Sequence, residues 1–234
     1  MESMTDDERN QPSANEDDYW VESRNSASET AETGKWLLFY PRAQIDERWR
    51  AAKAAAKLLG LDAKCSTRRP NPRASGDDAV VVFYAPLGDA PRLGLRLRDE
   101  MKFEGLMYYK TAKQTEKGTR ATGATENHKL LLYPHLDRVI DRADIVRISV
   151  VGFRYRSARV DDFVIGFENG SVRFEKEPTN KYDPNAIKVL VADRHVGYVA
   201  REDVPKVAHC LDAISLLEVI PYDHSVIVKL VNNV

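Results

Sequence analysis

The residues best placed to do chemistry in this chain lie in one short stretch, Glu177-Pro178-Thr179-Asn180-Lys181-Tyr182-Asp183-Pro184-Asn185-Ala186-Ile187-Lys188-Val189. Pro178 and Pro184 fix φ and remove backbone donors, so residues 177–184 read as a tight, rigid loop that leads into a strand. Asn180, Asp183 and Asn185 carry short polar side chains that bond nearby backbone and shape turns. Tyr182 stands among them, where a buried ring would be hard to pack. A rigid polar loop presenting one aromatic ring and one carboxylate is suited to binding. The alternative is an ordinary β-turn with a partly exposed tyrosine.

Two further blocks flank this loop. Upstream, Ser149-Val150-Val151-Gly152-Phe153-Arg154-Tyr155-Arg156 is a strand entering a basic, aromatic segment. Downstream, Val196-Gly197-Tyr198-Val199-Ala200-Arg201-Glu202 is a short strand running into a helix start. The three blocks read V-G-x-R-Y, then E-P-x-N-x-Y-D-x-N-A-I-x-V, then V-G-Y. Together they resemble the HIRAN domain, a small β module found beside DNA-repair helicases of the Rad5 type, over roughly Ile145 to Val234. The resemblance implies binding of single-stranded DNA with preference for a 3′ end. It implies that Tyr155 and Tyr182 stack on terminal bases and that Asp183 accepts a hydrogen bond from the terminal 3′-hydroxyl. It also implies that Arg154, Asn180 and Arg201 hold phosphates and backbone. Arg156 stands where some relatives have a second aromatic, exchanging stacking for phosphate contact.

Signals for catalysis are weak. The chain has no G-x-x-x-x-G-K-[ST] phosphate loop, no H-E-x-x-H and no cysteine pair at zinc spacing. His128, His135, His195, His209 and His224 are scattered. His209 and Cys210 are neighbours, but adjacent helical positions point about 100° apart and cannot partner each other. We therefore expect no enzymatic activity, no metal and no cofactor. Cys65 and Cys210 read as free, buried thiols of a reducing compartment, which implies an intracellular protein, nuclear or cytoplasmic. No run of 18 apolar residues is present and the N-terminal stretch has no apolar core segment, so neither a membrane span nor a secretory signal is expected.

The net charge of −1 hides an asymmetry. Residues 1–33 hold ten acids and two bases and few apolar side chains, so we expect an acidic, disordered tail in which Tyr19-Trp20-Val21 is an unstructured break. Residues 34–144 hold 21 bases and 14 acids, whereas residues 145–234 hold twelve of each.

The elements that would carry these residues fall into two regions. From Gly34, the pattern predicts a strand to Tyr40, a helix from Asp46 to Leu59 closed by Gly60, and strands at Ala63–Thr67 and Ala79–Tyr84. A helix then runs from Asp89 or Pro91 to about Phe103, followed by a strand at Leu106–Lys110, a polar loop, and a strand at Lys129–Tyr133. This order predicts an α+β layer, an antiparallel sheet with helices on one face. The segments Gly34-Lys35-Trp36-Leu37-Leu38-Phe39, Asp46 with Trp49, Ala63-Lys64-Cys65-Ser66-Thr67, and Tyr108-Tyr109-Lys110 before Thr115 carry a further likeness. Over residues 34–133 they resemble the basophilic-leukaemia-expressed-protein family of the cap-binding translation initiation factor superfamily. Cap binders sandwich a cationic base between two loop tryptophans. Here Trp36 and Trp49 read as core, so cap recognition does not follow. Lys110, Lys113, Lys117 and Arg120 follow the penultimate strand, where such folds meet a phosphate chain, and Arg68, Arg69 and Arg73 add a second basic loop. Both loops also read as ordinary solvated surface.

Residues 134–146 suggest a short linking helix, so that residues 134–144 form a linker and residues 145–234 a second domain. Strands are expected at Val146–Phe153, Val164–Phe167, Val172–Glu175, Ala186–Ala192, His195–Val199, Leu216–Pro221 and Ser225–Leu230, with one helix after Asp203. Many short strands and one helix predict a small OB- or SH3-like barrel. Two functions follow. One is a non-catalytic module that binds single-stranded DNA at 3′ ends. The other is a scaffold whose first domain binds a nucleotide, RNA or peptide partner while the second is a packed adaptor.

Overall fold

The alternation Lys35-Trp36-Leu37-Leu38-Phe39-Tyr40 sets the architecture of the first unit. Trp36, Leu38 and Tyr40 are buried in one core, while Lys35, Leu37 and Phe39 point to the other face. In this computed structural model, residues 11–25, 33–69, 78–116 and 128–233 are described. The chain divides into two compact units between Arg142 and Ala143. The architecture is mixed α+β with two antiparallel sheets.

The first unit contains β1 (Trp20–Ser23), β2 (Thr33–Pro41), α1 (Ile45–Leu59), β3 (Ala63–Ser66), β4 (Asp78–Pro86) and α2 (Ala90–Met101). β5 (Met107–Thr111), the short α3 (Ala112–Glu116), β6 (Leu130–Leu132) and β7 (Ile140–Asp141) complete it. The sheet order is β1-β3-β4-β2-β5-β6-β7. β2 and β4 form its long central pair, in register from Thr33↔Pro86 to Pro41↔Asp78. Ile45, Trp49, Ala52 and Ala56 of α1 and Leu93, Leu97 and Met101 of α2 pack on the Trp36 face. The two predicted helices thus share one side of the sheet. Gly60 ends α1 with φ 66°, the left-handed conformation that glycine adopts without a Cβ penalty. Trp36 is fully buried and its Nε1–H donates to the Ala90 carbonyl at 3.0 Å, which satisfies the indole in the core.

Two expectations for this unit are corrected. Trp20–Ser23 is not an unstructured break but strand β1, paired with β3 from Trp20↔Ser66 to Ser23↔Ala63. Val21 reaches the core, and the Thr67 amide donates to the Tyr19 carbonyl at 3.2 Å. Residues 134–146 hold no linking helix. Ile140–Asp141 pairs with β6 as β7, and a single 3-10 turn spans Arg142–Asp144. Ile140 is buried against its strand partner Leu131, which explains the preference for pairing over a solvent-exposed helix.

The second unit contains β8 (Ile145–Val151), α4 (Val160–Glu168), β9 (Val172–Lys176), β10 (Ile187–Val191), β11 (Arg194–Val199), α5 (Val204–Val207), β12 (Ile214–Pro221) and β13 (Val226–Asn232). Its sheet runs β12-β13-β8-β11-β10-β9 and curls into a half-barrel, consistent with the expected small barrel. Val164–Phe167, expected as a strand, lies within helix α4. Asp162 accepts a hydrogen bond from the Arg159 amide at 2.8 Å, and Phe163 and Gly166 are buried three residues apart on one helical face. The helix after Asp203 is shorter than expected, ending at Val207, with a separate 3-10 turn at Leu211–Ala213.

Candidate nucleic-acid interface

The Glu177–Ala186 loop is closed at its base by its own backbone. The Glu177 amide donates to the Ala186 carbonyl at 2.9 Å, joining the end of β9 to the start of β10. Within it, the Asn180 side-chain oxygen accepts the amides of Tyr182 (3.0 Å) and Asp183 (3.2 Å), and the Asp183 carboxylate accepts the Asn185 amide (2.9 Å). These are the side-chain-to-backbone bonds that favour Asn and Asp in turns. They hold the backbone while leaving the Tyr182 ring 93% exposed. A ring of that size left in water by an ordered loop is an available stacking platform.

A hydroxyl-centred cluster braces the loop from beneath. The Tyr198 hydroxyl donates to Glu177 Oε2 at 2.8 Å and accepts from Asn180 Nδ2 at 3.3 Å, while Asn180 Nδ2 also donates to Glu177 at 2.6 Å. Arg156 donates to the same hydroxyl and lies over the Tyr198 ring, 5.0 Å from its centroid. The Asn180 hydrogen bond, aided by that of Tyr198, holds Glu177 below the usual carboxylate range against the opposing effect of burial. Burial and the bond to Glu177 raise Tyr198, while Arg156 opposes them. Asp183 is ion-paired with Arg201 at 3.1 Å. One open cleft is lined by Arg156, Glu177, Asn180, Tyr182, Asp183, Tyr198 and Arg201.

The turn after β8 supplies the second ring. Gly152 enters it at φ 87°, Phe153 is buried edge-on to Phe163, and Arg154, Tyr155 and Arg156 are left exposed. Tyr155 is 89% exposed. The turn also separates the two arginines. Arg156 faces the cleft just described, whereas Arg154 lines a different one with Arg159, Tyr222 and His224.

The structure thus gathers Arg156, Asn180, Tyr182, Asp183 and Arg201 in one place. Sequence reasoning missed the bracing roles of Glu177 and Tyr198. Their signal was present only as a loop-entry glutamate, three residues before Asn180, and as the tyrosine of V-G-Y, 18 or more residues from the groups its hydroxyl contacts. Of the candidate phosphate-binding group, Lys110 lies in β5 and Lys113 is exposed on α3, while Lys117, Arg120 and Arg73 lie outside the described residues. Arg68 and Arg69 are engaged by the acidic segment: Arg68 pairs with Glu16 at 3.2 Å, and Arg69 donates to the Asp17 carbonyl and covers the Tyr19 ring at 4.1 Å.

Among the described residues, no group of three His, Cys, Asp or Glu side chains is arranged to hold a metal ion. No helix there is long and apolar enough to cross a membrane. Cys65 and Cys210 are both buried free thiols, and burial pushes the Cys65 thiol well above its ordinary value. No curated protein matches the chain. The likeness of residues 34–133 to the cap-binding factors finds no support in a family match. The loop, its brace and both exposed tyrosines fall within residues 144–230, and those residues match the HIRAN domain, a nucleic-acid-binding module.

Proposed function

We propose that the second unit binds the 3′ end of a single DNA strand and that it works by binding rather than by catalysis. The observation that carries this reading is the pairing of a 93% exposed Tyr182 with an adjacent carboxylate, Asp183, on a loop fixed by its own side chains. Base stacking on an exposed ring supplies sequence-tolerant affinity. A carboxylate repels phosphate, so its placement beside that ring makes sense where the strand ends in a hydroxyl that it can accept. Arg201 and Arg156 provide cationic donors for backbone phosphates at the same cleft, and Tyr155 offers a second stacking surface. Arg154 reaches phosphate from the neighbouring cleft. The Asn180 amide already serves the loop and Glu177, so its part here is to hold the loop in shape. With twelve bases and twelve acids in residues 145–234, affinity rests on these local contacts rather than on bulk charge.

The test is titration of one oligonucleotide with either a 3′-hydroxyl or a 3′-phosphate, at one salt concentration, against the wild type and Asp183→Ala. The wild type should prefer the hydroxyl end, and Asp183→Ala should narrow that gap, because the phosphate cannot donate the bond and is repelled by the carboxylate. Equal preference in both proteins, or no binding by the wild type, would leave the scaffold function instead.

A further inference from the structure

Ser13 is exposed, yet both of its polar groups are held by one carboxylate from a distant part of the chain. Its amide donates to Asp46 Oδ1 at 3.0 Å and its hydroxyl donates to Asp46 Oδ2. Asp46 is the second residue of α1, so the turn at residues 12–14 is docked on the start of that helix. From there the hold passes along the segment in short steps. Buried Asn15 accepts the amides of Asp17 and Asp18 on its side-chain oxygen, at 3.1 and 3.0 Å. The Pro12 and Asn15 carbonyls accept the Arg68 amide at 2.9 and 3.2 Å, and the Asp18 and Tyr19 carbonyls accept the hydroxyl and the amide of Thr67. Ser13 thus stands at the head of the contacts that lay the acidic segment over Arg68 and Arg69. The other end is fixed separately, where the Asn25 amide donates to Asp62 at 2.6 Å.

The residues after Ser13 add a second observation. Glu16, Asp17 and Asp18 stand three, four and five places beyond it, all exposed, and among the described residues no other serine is followed by acids at all three places. A kinase whose peptide groove is basic selects such a run by charge complementarity. A segment with few buried apolar contacts opens locally at low cost, which presents its serine to such an enzyme.

We propose that Ser13 is a phosphorylation site for an acid-directed protein kinase, and that its phosphate, set against Asp46, lifts residues 11–19 off Arg68 and Arg69. The γ-phosphoryl group of ATP passes to Ser13 Oγ: its bond to the β-phosphate oxygen breaks, the P–Oγ bond forms, the hydroxyl proton goes to the kinase's catalytic base and ADP leaves. The esterified Oγ has no proton left to donate, and its phosphate brings a charge of about −2 beside a carboxylate. Helix N-termini attract phosphate, but Asp46 already fills that position on α1, so repulsion decides. Two arginines of the same region are committed elsewhere, Arg42 to the Thr67 carbonyl at 2.9 Å and Arg68 to Glu16 at 3.2 Å. The site is independent of the 3′-end reading, because all of it lies in the first unit.

The full chain is treated with ATP and an acid-directed serine kinase, the phosphate is mapped by peptide mass, and hydrogen exchange is compared with that of the untreated chain. Phosphate is expected on Ser13. The Thr67 and Arg68 amides should then exchange about tenfold faster or more, the worth of one hydrogen bond to a charged group, while amides of the β2–β4 pair keep their rates. Unmodified Ser13→Ala, which loses the hydroxyl but adds no charge, should accelerate them less. Asp46→Lys should reverse the sign, so that its phosphorylated form exchanges more slowly than its unphosphorylated form. Phosphate absent from Ser13, or equal acceleration in Ser13→Ala, would overturn the proposal. So would unchanged or slower exchange in the phosphorylated wild type, the slower result meaning that the α1 N-terminus takes the phosphate and tightens the turn. The wild-type comparison decides the question even if Asp46→Lys fails to fold.

Discussion

The Arg201 guanidinium sits 3.1 Å from the Asp183 carboxylate, with the Asp183 side chain only 19% exposed and that of Arg201 79% exposed. The acid is therefore the fixed member of the pair and the arginine the movable one. A strand phosphate can draw Arg201 outward while Asp183 keeps its bond to the Asn185 amide and turns to a hydroxyl. Arg201→Ala should weaken binding of hydroxyl-ended and phosphate-ended strands alike and lower the salt slope by about 0.7, one phosphate contact. Its effect on folding should stay under about 1 kcal/mol, because the arginine side chain is largely exposed and Asp183 keeps its bond to the Asn185 amide. Isothermal titration at three salt concentrations checks the first statement and urea denaturation the second.

Tyr182→Ala should cost about 1–3 kcal/mol of strand binding, the usual range for a base on an aromatic platform, and Tyr155→Ala a similar amount. Neither should move the melting temperature appreciably, since both rings are almost wholly in water. A large loss of stability in either variant would show that the ring packs on the protein rather than on a ligand.

Tyr198→Phe removes the hydroxyl that joins Glu177, Asn180 and Arg156. It should cost about 1 kcal/mol of stability and weaken strand binding although the ring remains. Glu177 has its carboxyl held below the usual range, chiefly by Asn180, so the brace is complete above its unfolded pKa and fails as pH falls through the lower folded value. Hydrogen exchange at the Tyr182 and Asp183 amides, followed from pH 6 down to pH 3, should show the loop opening at higher pH in Tyr198→Phe than in the wild type.

His128 is buried, stacked 4.8 Å from the Tyr108 ring, and held down to about 4 by burial and by Lys110 and Arg142. Its folded value lies below the ordinary 6.5, so the unfolded chain binds the extra proton between those limits and stability falls as pH drops from 6.5 towards 4. Between pH 7 and pH 5 the loss should be about 2 kcal/mol. His128→Phe keeps a ring against Tyr108 and should flatten that acid limb in denaturant titrations. An unchanged pH dependence would place the sensitivity elsewhere.

Lys35 gives the same sign of trend at the alkaline end. With its folded value near 8 and the ordinary value at 10.5, the folded state binds fewer protons between them, so its contribution improves as pH rises through that window. At neutral pH the charge is therefore a burden on the fold. Lys35→Met should raise stability by on the order of 1 kcal/mol after allowance for solvent screening. Differential scanning calorimetry at pH 7 and pH 10 should show the gain shrinking at the higher pH.

Much of this was legible in the residues. The helix over Ile45–Leu59 was visible because Ile45, Trp49, Ala52 and Ala56 repeat on one face and Gly60 closes it. The binding loop was visible because Pro, Asn and Asp act locally, on backbone within three residues. What escaped depended on distant partners. Strand β1 is four residues in an acidic context, and its pairing with β3 joins residues 40 to 46 positions apart, from Ser23↔Ala63 to Trp20↔Ser66. Helix α4 carries Val160, Val164 and Ile165, which favour strands, and only the Asp162 contact to Arg159 and the burial of Phe163 and Gly166 decide against one. Tyr198 read as a strand tyrosine because its hydroxyl finds Glu177 and Asn180 only after β9, β10 and β11 assemble.

Strand β1 closes one end of the first sheet, and it is only four residues long with Glu22 facing outward. Without it, Ala63–Ser66 would offer a row of open amides and carbonyls to any chain with a matching row, including another copy of itself. The acidic leading segment thus acts as a guard against polymerisation as well as a carrier of charge. A fragment begun at Thr33 should lose stability and turn cloudy as its concentration rises, whereas one begun at Gln11 should stay clear.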